Sequence, residues 1–99
     1  MSAPAIITRK ENPSLELYIH YGDDKDMIQQ IVDLAHKNNA RNINCDEYYG
    51  MARLCCACQE YFENEETGFG IAPYGKEYHD YHYVIDKYWH VELIEDDYI

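Results

Sequence analysis

Hydrophobic and polar positions change rhythm three times along the 99 residues. "AIITRK" and "LELYIH" (5–10 and 15–20) read as two strands, and "ENPS" between them supplies turn residues. In the second, Leu15, Leu17 and Ile19 alternate with Glu16, Tyr18 and His20, which predicts one core face and one face for water. The period then lengthens. Met27, Ile28, Ile31, Leu34 and Ala35 recur at helical spacing, Asp23 or Asp24 stands where a cap belongs, and Lys37 lies near the negative end. "NNARN" ends that helix. A second helix is expected from Asp46 to about Asn64, with Met51, Leu54, Cys55, Cys58, Tyr61 and Phe62 as its apolar stripe and Arg53, Glu60 and Glu63 outside. Period two returns after "NEETG". "FGIAPYG" is a short strand broken by Pro73. Tyr81, Tyr83 and Ile85, then Trp89, Val91 and Leu93, mark two further strands around a tight turn at Asp86-Lys87.

The element order ββααβββ predicts an α+β fold, an antiparallel sheet of about five strands with two helices packed on one face. A chain of this length holds one core, so residues 1–99 are expected to form a single domain. A hydrophobic fraction of 46% argues against disorder. Eleven tyrosines exceed what a core needs, and each hydroxyl wants a polar partner, so many rings should sit half exposed.

Charge alters the picture most. Nineteen acids against eight bases leave a net −11. Residues 1–59 carry eight acids and six bases (−2), and residues 60–99 eleven and two (−9). Direct binding to nucleic acid or an anionic membrane is disfavoured, because both rest on lysine and arginine meeting phosphates. A basic partner, met fast and salt-dependently, is favoured. "MSAPAIITRKENP" lacks the apolar run of a signal peptide, and nothing approaches the roughly 20 apolar residues of a membrane span. A cytoplasmic protein with reduced thiols is the expectation.

Candidate chemistry thins out on inspection. "CCAC" invites a zinc reading, but Cys55 and Cys58 fall one helical turn apart on the apolar stripe, and zinc knuckles use turns instead. Cys56 points elsewhere and lacks an obliged histidine partner. There is no nucleophile elbow, P-loop or dinucleotide turn. His20, His82 and His90 alternate onto one outer face if their strands are neighbours, which keeps a metal-dependent enzyme as an alternative. A homodimer built on the Tyr/His face is another. The expected reading has no catalytic residue, no metal and no cofactor. What remains is acid: Glu60, Glu63, Glu65 and Glu66 at a helix end and loop, and Glu92, Glu95, Asp96 and Asp97 in the last strand and tail. Acids at a helix C-terminus oppose its dipole, so the first group costs some stability and hints at a purpose beyond folding.

At "LELYIHYG", "TGFGIAPYG" and "HDYHYVIDKYWHVEL" the chain resembles a loose group of small acidic proteins from phages and mobile elements, a company that includes anti-CRISPR proteins. Where many members carry an Asp-Gly-Tyr-Pro-type turn, this chain has "YGDDKD". The resemblance implies a phage-side inhibitor in the host bacterial cytoplasm. Together with the charge it leads to an expected mechanism: a DNA mimic, acting as a monomer, that fills the basic nucleic-acid groove of a host CRISPR surveillance complex. Glu60, Glu63, Glu65, Glu66, Glu92, Glu95, Asp96 and Asp97 are the expected contact charges, and Tyr98 and Tyr88 the aromatic anchors.

Overall fold

The structure is a computed structural model that describes residues 3–38, 41–63 and 68–96, Glu95 and Asp96 by their backbone only. The elements are β1 (Ala5–Arg9), β2 (Leu15–Ile19), α1 (Lys25–Lys37), α2 (Glu47–Tyr61), β3 (Phe69–Pro73), β4 (Tyr81–Ile85) and β5 (Val91–Asp96). They form one five-stranded sheet in the order β3-β2-β1-β4-β5, with both helices on one face. The α+β architecture and the element order agree with the sequence pattern.

The helices begin where the capping chemistry places them. The Asp24 carboxylate accepts the N–H groups of Asp26 and Met27 at 3.0 and 3.3 Å, and that of Asp46 accepts from Tyr49 at 3.2 Å. α2 stops at Tyr61 rather than Asn64, because Glu63 turns into the left-handed region at φ 55°. The core lies between sheet and helices. Ala5, Ile7, Leu17, Ile19, Tyr83, Ile85 and Val91 meet Ile28, Ile31, Val32, Ala35, Met51, Leu54, Ala57 and Cys58.

Four expectations change. The sheet is mixed: β1 and β4 run parallel, in register from Ala5↔Tyr81 to Arg9↔Ile85. β3 adds to the outer side of β2, so the chain must cross the sheet to reach β4. That path drops one strand length and spans three strand spacings, a diagonal of about 22 Å, within reach of the seven residues 74–80. The crossover arrives beside the start of β1, where the N–H groups of Asp80 and Tyr81 bond the Pro4 carbonyl.

The crossover also overturns the expected watered face. It lies opposite the helices and covers Glu16, which is 0% exposed and accepts the N–H groups of Gly75 and Glu77 at 2.8 and 2.9 Å. Beneath it His82 is buried too, its Nε2 2.9 Å from the Thr8 hydroxyl and its ring beside Tyr74 and His79. Each face of the sheet therefore has a cover: helices on one, an irregular strap on the other.

The β4–β5 turn is longer than Asp86-Lys87. The Asp86 carboxylate accepts from the N–H groups of Tyr88 and His90, and Trp89 takes φ 66°, outside the strand. Gln29 of α1 holds this geometry. Its amide donates to the Trp89 carbonyl at 2.9 Å and accepts from the Val91 N–H at 2.8 Å, while the His36 ring stacks on the indole at 4.5 Å. An irregularity between His82 and Tyr83 leaves Ile94 as the extra residue, and Leu93 is partly exposed rather than core.

Candidate functional site

Those of the acidic residues singled out in the sequence that are described occupy two separate places. Glu60 and Glu63 are exposed at the end of α2, where Asn38 Nδ2 donates to Glu60 at 3.1 Å. Glu92 is exposed on β5, its carboxylate 3.5 Å from Lys10 Nζ. Glu95 and Asp96 follow it, paired by backbone register with His82 and Tyr81. Glu65, Glu66, Asp97 and Tyr98 lie outside the described residues. Tyr88 is 66% exposed in the 86–90 turn, with the Lys87 ammonium 5.3 Å from its ring centre. β5 is one edge of the sheet, whereas α2 packs against β2 and β3 towards the other, so among the described residues the acids form two patches rather than one row.

Little cationic charge offsets them. Among the described residues the ion pairs are Arg9–Glu47, Lys10–Glu92 and Arg41–Asp46. One of these acids is structural. Glu47, buried at the start of α2, accepts the N–H groups of Ser14 and Leu15 at 2.8 and 3.0 Å and the Ser14 hydroxyl, which ties the β1–β2 turn to the helix. Burial opposes its charge, but the Ser14 hydroxyl, the two amides and Arg9 prevail and hold its carboxyl below the ordinary glutamate range.

The three histidines that alternation would gather do not meet. His82 is buried under the strap at the start of β4, whereas His90 is exposed beyond the far end of that strand, next to Tyr88. His20 follows β2, with its Nδ1 3.1 Å from the Tyr18 hydroxyl and its ring edge-on to Tyr21. Among the described residues no group of three or more His, Cys, Asp or Glu side chains is placed to hold a metal. The cysteines follow the helix. Cys58 is buried and Cys55 half-buried against the core, while Cys45 and Cys56 are exposed. Burial, then the neighbouring thiol, pushes Cys55 up to about 11 and Cys58 up to about 12, so both stay protonated near neutrality.

The structure adds a site that alternation alone does not single out. A cleft of about 320 Å³ lies over β3, lined by Tyr18, Gly68, Phe69, Gly70, Ile71, Ala72 and Glu77. Its floor is small because Gly70 and Ala72, the residues paired with Tyr18 and Glu16, present little bulk on the strap side. A Cβ built on Gly70 would meet nothing within 4 Å. Burial, then the Glu77 carboxylate, raises the Tyr18 phenol above its ordinary value, so it stays neutral. The sequence signal was the Gly-x-Ala spacing opposite a tyrosine, legible only once the β2–β3 register is known.

No family model, curated protein or solved structure matches the chain. Among the described residues, no helix is long and apolar enough to cross a membrane.

Proposed function

We propose that this protein is an acidic decoy, not an enzyme, that binds a basic, nucleic-acid-handling complex and keeps DNA out of its groove. The observation that carries this reading is uncompensated charge: a net −11, with three ion pairs among the described residues and exposed carboxylates at the α2 end and on β5. Such a surface repels nucleic acid and attracts the lysine- and arginine-lined channels that hold it. The sequence resemblance makes a CRISPR surveillance complex of the bacterial host the favoured target and the host cytoplasm the place of action. Two acidic patches suit a groove better than a flat surface, since a compact body seated in a channel meets basic walls on both sides. Glu60 and Glu63 would face one wall and Glu92 the other, with Glu65, Glu66, Glu95, Asp96 and Asp97 as further contact charges and Tyr88 and Tyr98 packing on arginine planes.

Charge reversal tests it. Glu95→Lys with Asp96→Lys should abolish inhibition of target-DNA binding by the complex while circular dichroism and the unfolding midpoint stay close to the parent's. Full inhibition by that double variant contradicts the proposal.

A further inference from the structure

The two edges of the sheet differ in kind. β5 (VELIED) carries three acids, the sort of charge that keeps a foreign strand from pairing. β3 (FGIAP) carries none. Its free side is defined by the ladder. The His20 N–H bonds the Gly68 carbonyl and the Tyr74 N–H bonds the Ser14 carbonyl, so with the register Tyr18↔Gly70 and Glu16↔Ala72 the even-numbered residues point their backbone groups at β2. The N–H and C=O groups of Phe69 and Ile71 therefore point outward, whereas the Pro73 carbonyl already accepts the Lys76 N–H at 3.2 Å. Pro73 contributes no N–H, which limits pairing to the first part of the strand.

On an added antiparallel strand, the residue opposite Gly70 projects its side chain to the strap side, into the cleft. Gly70 leaves that space open, the Tyr18 ring forms one wall, and among the described residues Glu77 is the only charged group lining it. At about 320 Å³ the cleft is at the small end of ligand pockets, which suits one side chain and not a cofactor. A neutral phenol ring and a carboxylate together fit a cation that can stack and pair at once.

We infer that β3 and this cleft accept an extended basic segment of a partner protein as a sixth strand, its arginine or lysine lying over Gly70 between Tyr18 and Glu77. The inference takes the basic partner from the decoy reading and adds a second contact, on β3 rather than at the acidic patches.

The test titrates the ¹⁵N-labelled full chain with the capped peptide Thr-Val-Thr-Arg-Thr-Val-Thr, and with the same peptide carrying glutamate in place of arginine. Amide shifts should centre on Phe69–Ala72, Tyr18 and Glu77, with exchange at the Phe69 and Ile71 N–H groups slowed about tenfold or more at saturation. Gly70→Leu fills open space and so leaves the fold intact. Ile71→Pro removes an outward N–H that β2 does not use. Each should weaken the arginine peptide by about tenfold or more, and the glutamate peptide should bind as poorly to the parent chain. Equal affinity for the two peptides, undiminished binding by Gly70→Leu, or unchanged exchange at Phe69 and Ile71 would overturn the inference. The decoy reading fails separately. Glu95→Lys with Asp96→Lys should leave peptide binding in place, and a protein that binds the peptide as described but displaces DNA from no complex retains the edge site and loses the decoy role.

Discussion

At the scale of single residues, the buried carboxylates were the hardest feature to read. Glu16 alternates with Leu15 and Leu17 as a solvent-facing strand residue should, and nothing local reveals that Gly75 and Glu77 will bring two N–H donors over it. Glu47 stands in the first turn of a helix, an ordinary place for an acid, yet it binds the turn between β1 and β2. By contrast, a cap at Asp23 or Asp24, a helix start near Asp46, and Cys55 and Cys58 on the apolar stripe were legible, because caps and core stripes are set by neighbours within a turn or two. Glu47 gives a pH prediction. Its folded-state pKa is depressed, so its stabilising contribution is complete above the ordinary glutamate value and is lost as pH falls through the lower folded one. Urea midpoints at about pH 6 and about pH 3 should drop further for the parent than for Glu47→Gln, which begins less stable and lacks this titration. Equal acid sensitivity would show that the clamp carries no pH dependence.

At the scale of elements, all seven were legible from period and punctuation, and their ends were less so. α2 ends at a left-handed Glu63, and β5 starts two residues later than alternation suggests because Trp89 belongs to the turn. The parallel β1–β4 pair was not legible, since pairing between residues 76 apart, as in Ala5↔Tyr81, depends on where the 74–80 strap runs, and its Gly, Lys and Tyr residues give no direction. The turn at 86–90 is held from outside by Gln29, a polar residue that looks like helix surface in the sequence. Gln29→Ala should lower stability by about 1–2 kcal/mol, roughly the net value of two hydrogen bonds. Trp89 is the chain's only tryptophan, so the same variant should red-shift the emission as the indole loses its His36 stack and gains water. An unchanged spectrum and midpoint would mean the turn holds itself through Asp86.

At the scale of the whole molecule, charge was legible at once and its placement was not. Forty C-terminal residues with a balance of −9 suggest one acidic surface, but the sheet order sends its described parts to different sides. The uncharged β3 edge lies beyond what composition can locate, because it depends on which strand ends up outermost. A basic complex that embraces the molecule would meet carboxylates at the α2 end and on β5, and a strand-compatible edge at β3. Its association should be fast and should weaken with salt as exposed charges are screened over a Debye length of about 8–10 Å.

Competition for DNA tests that account most directly. The protein is titrated into a purified CRISPR surveillance complex, and target-DNA binding is followed at about 50 and about 200 mM salt, with the protein's own affinity for the complex measured at each. The account predicts that DNA is displaced stoichiometrically at low salt and that affinity for the complex falls by about tenfold or more at the higher salt. Undisturbed DNA binding across several complex types, or displacement indifferent to salt, would contradict it.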